Sequence, residues 1–154
     1  MPDTITIMPE VNKSVLVEFS PEQMFALVDA VERYPEFLPW CGGACVGYRD
    51  EHKTRATIDI SYRGIKQSFT TENLKEPAQT ISVKLVEGPF KTLDGGWRFV
   101  PLADHGCKVE LRLHYEFSSK LLAKLIGPVF SYIANTFIEA FVRRARSVYG
   151  AKSP

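Results

Sequence analysis

The sequence predicts an α+β fold: a curved seven-stranded antiparallel sheet wrapped on one long C-terminal helix, with two short helices after the first strand. Three observations carry this. Segments between residues 11 and 117 alternate apolar and polar side chains, the period-two mark of half-buried antiparallel strands. From Ser118 to Tyr149 the apolar spacing changes to three and four, one face of a helix of about 30 residues and roughly 45 Å. A helix start, Ser20-Pro21-Glu22-Gln23, separates the first strand from the others. A sheet of this size cannot leave its apolar face in water, and only the terminal helix is long enough to cover it.

The elements follow in order. Val11 to Phe19 reads as a strand with Val11, Val15, Val17 and Phe19 on one face. Ser20 caps the next helix, Pro21 suits its first position, and Met24, Phe25, Leu27, Val28 and Val31 form its apolar side. Two prolines limit Tyr34–Trp40 to a short helical turn that still carries four large apolar side chains. Strands are expected near 43–50, 54–62, 66–74, 80–86, 93–101 and 107–117. Turn signals at Arg63-Gly64, Glu76-Pro77, Gly88-Pro89 and His105-Gly106 separate them. The long helix has Ser118 or Ser119 as its cap and Leu122, Leu125, Ile126, Val129, Phe130, Ile133, Phe137, Phe141, Ala145 and Val148 along its inner side. Gly127-Pro128 should kink it or split off its first turn and a half, and Gly150 stops it.

With 154 residues, 45% hydrophobic and 24% charged, one domain over 10–150 is expected, between a flexible leader 1–9 and a tail 151–154. Patterning begins only at Val11, so Met8 is an alternative start to Met1. A net charge of +1 excludes a disordered charged tail and argues against DNA or RNA coating by bulk charge. No apolar run approaches the roughly 20 residues of a membrane span. Three cysteines make no disulfide framework, and the N-terminus lacks the pattern of a signal peptide, so the expected location is the cytoplasm.

The near-neutral total hides an asymmetry. Residues 120–154 hold six basic side chains against Glu139 alone, a net of +5, while the first 119 residues hold 13 basic and 17 acidic groups, a net of −4. Arg143, Arg144 and Arg146 lie near the end of the terminal helix, where they favour its dipole. They read either as a solvated helix end or as a contact for ribosomal RNA or an anionic membrane surface.

Catalytic chemistry finds few residues. There is no Gly-x-Ser-x-Gly elbow and no phosphate-binding glycine loop; Asp94-Gly95-Gly96 reads as a turn or bulge. His52, His105 and His114 read as surface residues. Cys41 and Cys45 lack the second pair that zinc sites use, which leaves structural, redox and metal roles in that order of preference. The expectation is a non-enzymatic protein with no catalytic residue, no metal site and no required cofactor. Ligand binding is better served. Phe37, Leu38 and Trp40 are expected to guard an opening, and Phe69, Phe90, Trp97, Phe130, Ile133 and Phe137 to wall an apolar cavity between sheet and helix. The bland alternative is that these residues only fill the core.

Several segments carry a family resemblance. Tyr34-Pro35-Glu36-Phe37-Leu38-Pro39-Trp40-Cys41, the strand Ile65–Thr71, Val86-Glu87-Gly88-Pro89-Phe90-Lys91-Thr92-Leu93-Asp94-Gly95-Gly96-Trp97-Arg98-Phe99 and the ending Phe137–Tyr149 resemble the coenzyme Q-binding branch of the START-like, polyketide cyclase-type proteins. The resemblance runs from about Met8 to Gly150. It implies a helix-grip fold and no catalytic residues. It also implies ubiquinone or a similar isoprenoid lipid as the bound hydrophobic molecule, in support of respiration. The short bacterial members are ribosome association toxins, which implies the large ribosomal subunit as a partner, a block of subunit joining and an antitoxin. A third class, cyclase-type enzymes, shares the fold and would need polar groups converging in the cavity.

Overall fold

Strand β1 (Glu10–Val17) opens the computed structural model, which describes residues 10–103 and 106–150. The expected leader, the Met8 start, His105 and the tail lie outside the described residues. In α1 (Pro21–Asp29) the Ser20 hydroxyl accepts from the Gln23 N–H at 3.0 Å, and Gln23 Oε1 accepts from the Ser20 N–H at 2.9 Å. This reciprocal pair satisfies two otherwise orphaned donors and fixes where the helix begins. Met24 and Val28 face inward. A 3₁₀ helix (Val31–Glu36) follows, so only Tyr34, Pro35 and Glu36 of the expected Tyr34–Trp40 turn are helical. Pro39 disfavours helical backbone at Leu38 and itself offers no N–H, and the chain turns there into β2.

Six strands then form a meander: β2 (Cys41–Arg49), β3 (Lys53–Tyr62), β4 (Ile65–Glu76), β5 (Thr80–Glu87), β6 (Phe90–Pro101) and β7 (Cys107–Phe117). The sheet order is β1-β7-β6-β5-β4-β3-β2, with every neighbouring pair antiparallel. Alternation sets the inner face; Ala56, Ile58 and Ile60 of β3 are buried while Arg55, Asp59 and Ser61 are exposed. Asp94-Gly95-Gly96, expected as a turn or bulge, lies within β6. Gly95 pairs with Val83 on one side and Leu113 on the other. The reason is close approach: a Cβ at Gly95 would overlap the Arg112 carbonyl oxygen of β7.

Helix α2 (Lys120–Tyr149) crosses the inner face. Ser119 accepts from the Leu122 N–H at 3.1 Å, and Gly150, at φ 81°, ends the helix. It continues through Gly127-Pro128, so of the expected kink or split the split does not occur. Gly127 has no Cβ to meet the proline ring, and the carbonyl that loses a partner belongs to Lys124, on an exposed turn open to water. The buried stripe is Ile126, Phe130, Ile133, Ala134, Ile138, Ala140, Phe141 and Ala145. Leu125 and Val148, expected on it, are exposed. Leu125 lies about 100° round the helix from Ile126 and points away from the sheet.

Candidate functional site

Between the sheet and α2 the packing leaves a cavity of about 80 Å³. Phe69, Trp97, Phe130, Ile133 and Phe137 line it, as expected from their positions; so does Trp40, which was expected at the opening, together with Val28, Val31 and Tyr34 from the short helices. Two aromatic clusters bound it. Towards the start of α2, Phe130 meets Tyr115 at 4.7 Å, Phe90 at 4.9 Å and Phe69 at 6.3 Å between ring centroids. Towards its end, Phe137 meets Phe141 at 5.1 Å, Trp97 at 5.7 Å and Trp40 at 5.8 Å. Edge-on pairs predominate, the arrangement that the ring quadrupole favours.

Three expected site residues do not reach the cavity. Phe90 stands behind Phe69 and Phe130, stacked on Phe117 at 5.1 Å. Leu38 is fully buried in the core. Phe37 packs edge-on against Phe141 at 5.1 Å, and the Arg144 guanidinium lies 4.9 Å above its ring. The segment Phe37–Trp40 therefore seals one end of the core instead of rimming an opening, because burying its aromatic surface outweighs exposing it.

The basic helix end is divided as well. Arg144 donates to Glu36 Oε1 at 2.6 Å and holds the 3₁₀ helix against α2. The Arg144 and Arg33 guanidiniums beside it keep the Glu36 carboxyl below its usual range. Arg144 is thus a structural contact, while Arg143 and Arg146 remain exposed.

Polar groups in the cavity wall are few. The Tyr34 hydroxyl donates to the Val28 carbonyl at 2.6 Å, and burial pushes its phenol far above the ordinary range, so it stays neutral. On β4, Thr71 and Asn73 follow Phe69 along the inner face, and the Thr71 hydroxyl donates to Asn73 Oδ1 at 3.0 Å. Among the described residues, the Asn73 amide nitrogen has no acceptor. With Oδ1 accepting from Thr71, the amide N–H groups of Asn73, itself a cavity-lining residue, are the donors left over. Thr71 and Asn73 escaped the sequence reading; continuing the alternation from Phe69 by twos would have placed both on the inner face. The next inward side chain, Lys75, is buried and paired with Asp29 of α1 at 3.2 Å, so its charge is already matched. No Asp, Glu, His, Lys or Arg lines the cavity among the described residues. The polar convergence that cyclase chemistry needs is not found in this wall.

The cysteines are free thiols. Burial raises Cys41, and it pushes Cys107 up to about 11, which keeps both protonated and unreactive. No group of three potential metal ligands occurs among the described residues.

Comparison with known proteins gives a consistent pattern. A family model described as polyketide cyclase / dehydrase and lipid transport matches residues 17–142. The ribosome association toxin RatA of Vibrio cholerae is 51% identical over 143 residues, covering 93% of this chain and 99% of that protein. The mitochondrial coenzyme Q-binding protein COQ10 homolog B of Xenopus laevis is 27% identical, covering 92% of this chain and 59% of that one. Among solved structures, the Zhui aromatase/cyclase from Streptomyces sp. R1128 superposes with a TM-score of 0.77 at 15% identity, over 96% of this chain and 100% of that one. At that identity the likeness concerns the helix-grip fold alone.

Proposed function

The chain belongs to the polyketide cyclase / dehydrase and lipid transport family, and from that premise we propose that it is a non-enzymatic binder of an apolar, carbonyl-bearing small molecule, with ubiquinone or a similar isoprenoid as the ligand class. The observation that carries this reading is the cavity: apolar walls, aromatic ends and one unspent amide at Asn73. A quinone carbonyl is the acceptor that amide could serve. Size sets a condition. An engineered apolar cavity of about 150 Å³ admits one benzene, and the space here is about 80 Å³. A substituted quinone ring therefore enters only if an aromatic side chain such as Phe130 or Phe137 swings aside.

Both tryptophans line the cavity, which provides the assay. A short-chain ubiquinone should quench their fluorescence saturably at micromolar concentration. Phe137→Asp should weaken this at least about tenfold by placing a charge against the apolar wall, and Asn73→Leu should weaken it about threefold or more by removing the donor. Absence of saturable quenching in the folded wild type, with no quinone in its organic extract, would overturn the reading.

A second reading is favoured by the 51% identity to a ribosome association toxin: binding to the large ribosomal subunit through the exposed Arg143 and Arg146. It predicts co-sedimentation with large subunits and fewer joined ribosomes on overexpression. Arg143→Glu/Arg146→Glu should reduce both at least about tenfold. A folded double variant that still blocks joining would reject that surface. Cavity and arginines lie on different parts of the molecule, so the two roles are compatible. The free thiols suit work in a reducing cytoplasm.

A further inference from the structure

The outward side of the first turns of α2 carries more apolar surface than folding uses. Leu121, Leu125 and Tyr132 are 65%, 55% and 47% exposed. At 100° per residue they fall within about 40° of one another, a single stripe along the helix. Only 28% of the helix's most apolar 18-residue stretch is buried. Tyr132 stacks on Tyr62 of β3, with ring centroids 5.6 Å apart and planes 7° from parallel. The Arg63 guanidinium lies 5.3 Å from the Tyr62 ring centre, which carries the surface onto the tip of the β3–β4 hairpin.

Along α2 the charges beside this stripe are of one sign. Lys120 and Lys124 flank it in the first two turns, the first turn holds no acid, and the first acid on the helix is Glu139, about 10 Å beyond Tyr132. Helix stability argues for the opposite arrangement, since the positive end of the dipole favours acids and opposes lysines. Nor do ion pairs account for them. Among the described residues, no carboxylate lies within 4.0 Å of the Lys120, Lys124 or Arg63 charge.

We propose that this end of the molecule, through Leu121, Leu125 and Tyr132 rimmed by Lys120, Lys124 and Arg63, docks on an anionic lipid surface. Apolar side chains on one helix face enter the boundary between headgroups and acyl chains, and the cationic rim meets lipid phosphates. Charge complementarity selects this occupant. A second copy docked face to face would bring the same positive rim against itself. A nucleic-acid backbone would match the lysines but leave both leucines without a partner. The same end carries the Phe69–Phe90–Phe130 cluster that closes the cavity, so a docked molecule would hold that closure close to the membrane. Docking does not depend on what the cavity binds, and the two proposals fail separately.

The test is sedimentation of the full chain with vesicles of phosphatidylcholine alone and with about one-third phosphatidylglycerol. Wild type should bind the anionic vesicles preferentially and release as salt rises to about 0.5 M. Leu121→Asp/Leu125→Asp should lose at least about tenfold in affinity. Lys120→Ala/Lys124→Ala should lose about 25-fold, since each basic residue near such a surface contributes roughly fivefold. All four positions are exposed, and unchanged thermal melting would verify that the variants are folded. The assignment is overturned if wild type ignores anionic vesicles, if it binds neutral ones equally, or if the double aspartate variant binds like wild type. It is also overturned if that variant loses a dimer or large-subunit association while vesicle binding is unaltered.

Discussion

Phe141→Ala is expected to lower the stability of the folded chain by about 3–5 kcal/mol. Phe141 is 0% exposed, and its ring meets four others: Phe37 and Phe137 at 5.1 Å, Tyr34 and Trp97 at 5.3 Å. These four sit on different segments: the turn after the 3₁₀ helix, α2 itself, the 3₁₀ helix and β6. No single element can shift to refill the hole, so most of the cavity cost persists. Typical domains hold only about 5–15 kcal/mol in total, and the loss would bring this one near its threshold. Urea unfolding should show a much lower midpoint with an unchanged slope. Leu125→Ala, on the exposed side of the same helix, should move stability by no more than about 0.5 kcal/mol. A Phe141→Ala loss under about 1 kcal/mol would mean that the aromatic cluster collapses around the gap.

Gly95→Ala should cost about 3 kcal/mol or more, or prevent folding altogether. The added Cβ would overlap the Arg112 carbonyl oxygen and lie 2.9 Å from Leu113 Cα. Both belong to backbone in the middle of β7, flanked by β1 and β6, so neither can yield as a flexible side chain would. Gly64→Ala is the control. Gly64 has a positive φ of 82° but nothing within 4 Å of a Cβ, so its cost is limited to backbone strain of about 1 kcal/mol. Equal melting temperatures for the two variants would show that β6 and β7 separate more easily than this packing implies.

These two positions illustrate what could be read from the chain. Phe141 was visible in the three-and-four spacing of the last helix, as were the caps at Ser20, Ser119 and Gly150, because each depends on neighbours a few residues away. The alternation that placed Ala56, Ile58 and Ile60 inward also set the curved sheet and hence the helix-grip fold. Gly95 was misread, since a glycine required by close approach between strands looks in sequence like a glycine required by a turn. Of the two outcomes expected at Gly127-Pro128, the split does not occur: the local penalty is real, but α2 gains more from covering the sheet than it loses in one hydrogen bond. Of the site, the aromatic wall was legible and its polar inventory was not. Arg144–Glu36 joins residues 108 positions apart and Lys75–Asp29 residues 46 apart, and no periodicity announces such pairs.

The pairing of β1 with β7 has a consequence for how the chain is made. Val15 meets Val109, so the first strand waits for the last before the sheet is complete. The 30 residues of α2 come later still. At a synthesis rate of about 5–20 residues per second, that segment takes roughly 2–6 s. Until α2 has been made and has docked, the inner face of the strands that have already emerged lacks its cover, presenting side chains such as Ile58 and Phe69 to any other unfolded chain. Non-local pairing of this kind is slow to form and prone to association before it closes. Yield in the cell should therefore depend more on chaperone capacity during translation than on the thermodynamic stability of the finished fold.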